Sequence, residues 1–171
     1  MHQVTIRTAR DDELDELIPI LLGAEPSEHA LRWSLAHMID VVYVLWDGDQ
    51  KTGAATVRWR DEPAEIVELA IATGAQRHGL GRIFVQWIVA EALRRGVKKL
   101  EVGTSNASIG NMRFYQRCGF RMDHIRRDYF WYYREPRSED GITIRDLLVF
   151  SMELDKNRPG TNSEQLNPGS Y

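Results

Sequence analysis

The sequence predicts an α/β (α+β) fold in which a mixed, mostly antiparallel sheet is flanked by helices. Three observations support this prediction. Short apolar or alternating runs of the kind that form strands recur along the chain. Between some of these runs, apolar residues repeat at the spacing of one helical face. Short polar turns join successive strand-like runs, which favours antiparallel pairing.

The N-terminal half contains four strand-like and two helical segments. The predicted strands are residues 4–8, 41–46, 54–59 and 65–72, and the predicted helices are residues 14–22 and 27–38. The polar turn Asp47-Gly48-Asp49-Gln50 makes a hairpin of the second and third strands. The turn at residues 60–63 leads into the fourth strand. An antiparallel meander therefore ends at residue 72.

The C-terminal half begins with a longer amphipathic helix, residues 82–95. Its apolar positions include Val85, Ile88 and Ala92, and Gly96 ends it. Three further strands are predicted at residues 99–102, 120–125 and 147–152, with a polar and aromatic insert at residues 126–146. From residue 155 to residue 171 almost no apolar residues occur, so we expect a disordered tail after a single domain of residues 1–154.

The most informative segment is Gln76-Arg77-His78-Gly79-Leu80-Gly81-Arg82, between a predicted strand and a predicted helix. The first backbone N–H groups of a helix lack intrahelical acceptors, and the helix dipole adds partial positive charge there. The two glycines leave room for a phosphate, and the two arginines add positive charge. The segment predicts a pyrophosphate cradle; the alternative is an ordinary turn that uses glycine for backbone freedom.

Two motifs together resemble a known family. Gln76-x-x-Gly79-x-Gly81 is similar to the Gln/Arg-x-x-Gly-x-Gly/Ala signature of the GNAT acyltransferase superfamily, and residues 111–120, containing Tyr115 and ending in Gly-Phe, resemble its second signature. The resemblance covers residues 3–154. It implies the GNAT acyl-CoA N-acyltransferase fold: a twisted sheet of six to seven strands with about four helices, splayed at its central parallel pair.

The resemblance also implies acetyl-CoA as cosubstrate, together with a set of binding residues. Backbone groups near Leu69, Ala70 and Ile71 would bind the pantetheine arm and polarise the thioester. A polar contact to the pantetheine would come from Asn106 or Asn111. The full set is Leu69, Ala70, Ile71, Gln76, Arg77, His78, Gly79, Leu80, Gly81, Arg82, Asn106, Asn111, Phe114 and Tyr115.

Tyr115 matches the position of the family's general acid. A tyrosine pKa of about 10 suits protonation of a departing thiolate; the alternative is a packing role beside Phe114. The candidate bases are Glu68, our first choice, and Glu65. Three residues apart on a regular strand, they point to opposite faces unless a bulge intervenes. For Glu65, a solvated strand edge is the alternative.

Composition excludes several other classes. The formal net charge is only −3 with no dense basic stripe, so we expect no nucleic-acid partner. Cys118 is the single cysteine, so no intramolecular disulfide is possible, and no segment resembles a signal peptide or membrane span. We therefore expect a cytoplasmic protein without membrane attachment. The histidines show no metal-ligand spacing, so no metal is expected.

The sequence thus predicts an N-acetyltransferase that acetylates a small-molecule or peptide amine by direct attack in a ternary complex, as a monomer or homodimer. By resemblance, the acceptor pocket would be built from residues 28–40 and 126–146. The aromatic run at residues 129–133 could form a substrate wall, an interface or part of a core. A non-catalytic acyl-CoA-binding or regulatory module of the same fold is the alternative.

Overall fold

The computed structural model describes residues 3–154; the predicted tail, residues 155–171, lies outside the described residues. The elements in chain order are β1 (Val4–Thr8), α1 (Leu14–Leu21), α2 (Glu28–His37), β2 (Val41–Asp47), β3 (Gln50–Arg58), β4 (Ala64–Ile71), α3 (Leu80–Arg95), β5 (Lys99–Ser105), α4 (Ile109–Arg117), β6 (Arg121–Arg126), β7 (Ser138–Glu139), β8 (Ile142–Thr143) and β9 (Leu147–Glu153).

Seven of these strands form one sheet in the order β1-β2-β3-β4-β5-β9-β6. The β4–β5 pair is parallel, and the other neighbouring pairs are antiparallel. Strands β7 and β8 make a separate small hairpin inside the insert. The predicted mixed, mostly antiparallel sheet with a parallel pair and four helices is confirmed.

Helices cover both faces of the sheet. Successive residues of a strand point to opposite faces, so Val44 and Leu45 of β2 belong to two different apolar clusters. Val44 packs with Leu17 of α1 and Leu31 of α2. Leu45 belongs to the larger cluster, which contains Phe84 of α3. Each face therefore has its own core, and the sheet is the common wall between them.

The parallel pair separates after three residue pairs. Strand β4 pairs with β5 only from Ala64 to Ile66, opposite Leu100 to Val102. Beyond this point β4 continues beside β3 as far as Ile71, and β5 continues beside β9 as far as Ser105. The facing edges of the two strands are therefore unpaired there, and a wedge opens in the middle of the sheet.

Two predicted strands are longer in the structure. Strand β3 begins at Gln50 rather than at residue 54, because the ladder with β2 continues until Asp47 pairs with Gln50. Strand β5 continues past Val102 to Ser105, because β9 supplies hydrogen-bonding partners along its whole length. In both cases pairing with a neighbour extends the strand beyond the apolar pattern.

Candidate active site

The wedge opens into a cavity of about 1680 Å³. Its walls come from β4 and β5, the first turn of α3, helix α4, the segment around α2, and the loop after β6. Of the predicted site residues, the lining includes Glu65, Glu68, Leu69, Ala70, Ile71, Gln76, Arg77, Gly79, Leu80, Gly81, Arg82, Asn111, Phe114 and Tyr115. The fold thus gathers most of the predicted site around one space.

The predicted phosphate cradle is the N-terminus of α3. Gly79 is the N-cap and has a left-handed backbone with φ +81°, which glycine adopts without steric cost. Within residues 3–154, the backbone N–H groups of residues 77–82 donate no hydrogen bond to backbone or side chain. Free amides at a helix N-terminus, with Arg77 and Arg82 on the same cavity wall, are groups that can bind an anion.

Gly81, predicted to give a phosphate access to the amides, is also constrained by packing. A Cβ at this position would lie 3.3 Å from the Phe114 ring and 3.7 Å from Ile71 Cγ1. Glycine here therefore lets α3 approach α4 and the end of β4 closely. A bulky residue at position 81 would displace Phe114 as well as obstruct the cradle.

A bulge in β4 places both candidate carboxylates on the cavity wall. The ladder with β3 pairs Thr56 with Glu68 and Val57 with Ile66, which leaves Val67 as the extra residue of β4. One inserted residue reverses the alternation of faces beyond it. Both Glu65 and Glu68 are buried, and both line the cavity.

Glu68 has the environment of a proton acceptor. The Ser34 hydroxyl of α2 donates to Oε1 at 3.1 Å, while Oε2 is buried without a hydrogen-bond partner among the described residues. Burial raises the pKa of Glu68 to about 8, because the charged form loses its water; the hydrogen bond from Ser34 opposes the shift, and the charges of Glu25 and Glu65 add to it. Such a carboxyl titrates near neutral pH, as a general base requires.

Glu65 forms salt bridges with two arginines. The Arg58 guanidinium pairs with its Oε2, and Arg126 Nη1 lies 3.2 Å from its Oε1. Arg126 also joins Glu65 to Glu101, with Nη2 at 3.2 Å from Glu101 Oε2. This network neutralises Glu65 and supports the junction of β4, β5 and β6, so of the two predicted bases Glu68 has the more suitable surroundings.

Tyr115 lies on α4 with only 6% of its surface exposed. Its ring packs edge-on against Phe114 and Phe120 and lies near Phe150, which fixes its orientation. Burial raises the pKa of Tyr115 well above its usual range, since a phenolate would be poorly solvated there. The residue therefore carries its proton at neutral pH and lines the cavity as a potential acid.

The two predicted asparagines differ in position. Asn111 lines the cavity, and its amide donates to Thr104 Oγ1 at 3.2 Å. Asn106 lies outside the lining: its amide donates to Thr143 O and its Oδ1 accepts from the backbone N–H groups of Arg145 and Asp146. His78 is also outside the lining, with its ring beside Ala75 O.

One acidic contact in the cavity was missed by sequence reasoning. Glu25, just before α2, accepts hydrogen bonds from the hydroxyls of Tyr132 and Tyr133 in the insert. The aromatic run at residues 129–133 lines the same wall. No periodicity or spacing connects residues so far apart in the chain, so only the folded chain brings them together.

A second acidic cluster lies outside the cavity lining. Ligand atoms of Glu101, Asp123 and His124 are within 4.8 Å of one another. Lys99 Nζ lies 2.7 Å from Asp123 Oδ2, and Arg126 contacts Glu101, so side-chain cations already neutralise these carboxylates.

Among the helices of residues 3–154, none is both long and apolar enough to cross a membrane.

Comparison with known proteins identifies the family. The sequence model of the acetyltransferase (GNAT) family matches residues 8–120, which include the wedge, the cradle and Tyr115. The chain belongs to the GNAT acetyltransferase family. This membership supports acetyl transfer from acetyl-CoA as its activity.

Several GNAT relatives agree with this assignment. The uncharacterised N-acetyltransferase YvbK of Bacillus subtilis is 34% identical over 82% of this chain and 90% of its own. A B. subtilis acetyltransferase crystallised with CoA has a TM-score of 0.80 and 32% identity, covering 89% of this chain and 99% of the other. A GNAT acetyltransferase of Elizabethkingia anophelis, crystallised with acetyl-CoA, has a TM-score of 0.79 and 29% identity, covering 88% of this chain and 98% of the other. These GNAT structures support acetyl-CoA as cosubstrate.

Proposed function

We propose that this chain transfers the acetyl group of acetyl-CoA to a primary amine of a small molecule or an exposed protein amine, by direct attack in a ternary complex. One observation carries the proposal: a single cavity connects the free amides at the start of α3 with Glu68 and Tyr115. A donor with a diphosphate at one end and a thioester at the other needs a continuous space of this kind, with room for the acceptor beside the thioester.

The donor would enter along the wedge. Its diphosphate would accept hydrogen bonds from the amides of residues 77–82, with Arg77 and Arg82 adding charge. The pantetheine arm would follow β4 at residues 69–71, where β5 has moved away and leaves that strand edge free. Asn111 is the better candidate for the polar contact to this arm, because it lines the cavity whereas Asn106 does not.

Glu68 and Tyr115 would then move the protons. Oε2 of Glu68 takes a proton from the acceptor ammonium, and the resulting neutral amine attacks the thioester carbonyl. Backbone N–H groups of β4 stabilise the tetrahedral oxyanion, an effect typically worth about 3 kcal/mol per donor. When the C–S bond breaks, the CoA sulfur leaves with the electron pair and takes the proton of Tyr115, while the acetylated nitrogen gives up its surplus proton, which restores the Tyr115 hydroxyl directly or through water; Glu68 releases its proton to solvent.

The direct test is release of free CoA thiol from acetyl-CoA in the presence of a panel of amines, with the acetylated product identified by mass. The proposal expects amine-dependent thiol release with one acetyl group added to the acceptor. Tight binding of acetyl-CoA without thiol release for any amine would instead favour a binding or regulatory module.

A further inference from the structure

The carboxylate of Glu25 lies in the cavity wall and accepts hydrogen bonds from neutral donors. The backbone N–H of Ser27 donates to Oε1 at 2.8 Å, the Tyr132 hydroxyl to Oε2 at 2.8 Å and the Tyr133 hydroxyl to Oε1 at 3.2 Å. In the part of the chain from residue 3 to residue 154, no lysine, arginine or histidine forms an ion pair with it. Its negative charge therefore has no protein counter-ion there.

Several other buried or half-buried carboxylates among residues 3–154 form ion pairs, whereas Glu68 does not. Glu13 pairs with Arg7, Glu65 with Arg58, and Glu91 with Arg95. Two other acidic residues on the cavity wall, Asp128 and Glu139, are exposed, so water screens their charges. Glu25 is only partly exposed and lies among aromatic rings, where an unpaired charge is less well screened.

The rings around Glu25 are suited to a cation. Tyr132 and Tyr133 lie edge to face with centroids 4.8 Å apart, and Phe130 stacks on Tyr133 at 5.4 Å. Aromatic faces attract ammonium groups through the ring quadrupole. One such contact already exists, because the Arg137 guanidinium lies 4.7 Å from the Tyr133 centroid.

We propose that the acceptor carries a second cationic group besides the amine that is acetylated, and that Glu25 binds this second charge. The inference rests on the proposed function and names its substrate class: diamines and larger polycationic amines. Glu68 would face the reacting amine and Glu25 the distal one. Both carboxyls line the same cavity, and the charge of Glu25 contributes to the raised pKa of Glu68.

The Glu25 carboxylate has a free acceptor position for an ammonium group. A carboxylate offers about four acceptor positions, and the three close donors leave one free. Burial and the neighbouring Glu25 charge raise the pKa values of Tyr132 and Tyr133 above their usual range, so both remain neutral donors. Two exposed cations, Arg127 on this wall and Arg137 against the Tyr133 ring, would oppose the ligand, which makes the Glu25 charge more necessary.

The test compares amines that differ only in their second group. Initial rates with butylamine, 1,4-diaminobutane and 4-aminobutanoate, and with longer and shorter sets of the same design, give kcat/KM for neutral, cationic and anionic distal ends. Calorimetric binding of each diamine to the CoA-saturated protein is a second readout that needs no turnover. We expect at least one diamine to exceed its monoamine by tenfold or more, the scale of one charged hydrogen bond.

Two variants test whether Glu25 causes the diamine preference. Glu25→Gln keeps an acceptor oxygen and removes the charge, so the diamine preference in rate and binding should fall about tenfold. Glu16→Gln removes an exposed carboxylate from α1 that pairs with Lys51 away from the cavity, and should keep the preference.

Equal use of monoamines and diamines, or an unchanged preference in a folded Glu25→Gln protein, would overturn the inference while the acetyltransferase proposal stands. Diamine binding that depends on Glu25 but gives no thiol release with any amine would overturn the proposed function, and with it the diamine's role as acceptor, and would leave Glu25 only as a diamine-binding residue.

Discussion

The Ser34 hydroxyl donates a hydrogen bond of 3.1 Å to Oε1 of Glu68, which joins α2 to the bulged segment of β4. Both residues are buried. The bond orients the carboxyl while its other oxygen, Oε2, has no hydrogen-bond partner within the described chain. A carboxyl held through one oxygen, with the other buried and unpartnered, is the feature on which the proposed mechanism depends.

The first prediction concerns the pH dependence of turnover. At saturating acetyl-CoA, kcat/KM for the acceptor should rise with pH and level off near the Glu68 pKa of about 8, because the base works only when deprotonated. Glu68→Gln should lose this plateau and continue to rise towards the acceptor's own pKa. The defect of the variant should therefore be constant below about pH 8 and shrink above it.

Glu65→Gln is the matched control for this experiment, since it changes a second buried carboxyl of the same strand. It breaks the pairs with Arg58 and Arg126 and should lower stability, while the plateau near pH 8 persists. If the plateau vanishes in Glu65→Gln and persists in Glu68→Gln, the two carboxyls have been assigned the wrong way round.

A second prediction concerns stability. The folded-state pKa of Glu68 is raised, so the folded protein holds this proton more tightly than the unfolded chain does. Unfolding free energy should therefore fall as pH rises from about 4.5 to about 8, by a few kcal/mol at most. Glu68→Gln should be more stable than the wild type at pH 9, with a much smaller difference at pH 4. Denaturant unfolding at the two pH values measures this; equal differences at both would show that Glu68 is not desolvated.

Tyr115→Phe tests the proposed acid. The variant keeps the ring contacts with Phe114 and Phe120 and removes only the hydroxyl. Acetyl-CoA should bind as before, while kcat should fall by roughly 10²-fold or more, the usual scale for a positioned acid. Calorimetry and single-turnover rates separate the two effects. Wild-type turnover with chemistry rate-limiting would mean that water or another group protonates the thiolate.

Arg82 tests the phosphate cradle. It lies in the first turn of α3, where a cation is unfavourable next to the positive end of the helix dipole unless an anion binds there. Arg82→Gln should weaken CoA binding several-fold and reduce its salt dependence, yet raise the stability of the free protein by about 0.3–1 kcal/mol. Arg94→Gln, which changes an exposed residue in the last turn of α3, should leave CoA affinity unchanged.

An unaltered CoA affinity in a folded Arg82→Gln protein would remove Arg82 from the binding residues. Arg82 is a cleaner probe than Gly81, because a side chain at Gly81 would also press on Phe114.

Local sequence patterns were sufficient for most of the fold. The segment from Gln76 to Arg82 carries its own chemistry: two glycines and two arginines at a strand-to-helix junction. The apolar repeat that follows predicts α3, and Gly96 ends that helix with a left-handed backbone. Because such signals depend on neighbouring residues in the chain, they can be read before the fold is known.

The remaining features depend on tertiary contacts. The extra residue Val67 is visible only in the register between β3 and β4, and it decides which faces Glu65 and Glu68 occupy. Likewise, Glu25 meets Tyr132 only because the insert folds over the segment before α2. Neither the bulge nor the Glu25 contact has a local sequence signature. The sequence alone therefore does not decide which carboxyl is the base or which residues form the acceptor wall.

The central claim is direct transfer of acetyl from acetyl-CoA to an amine within one ternary complex. Initial rates of CoA thiol release, measured while acetyl-CoA and an active amine are both varied, test it most directly. Direct transfer predicts double-reciprocal lines that intersect, with no acetyl group left on the protein. Parallel lines, together with a protein that gains one acetyl group from acetyl-CoA alone, for example on Cys118 in the cavity wall, would contradict it.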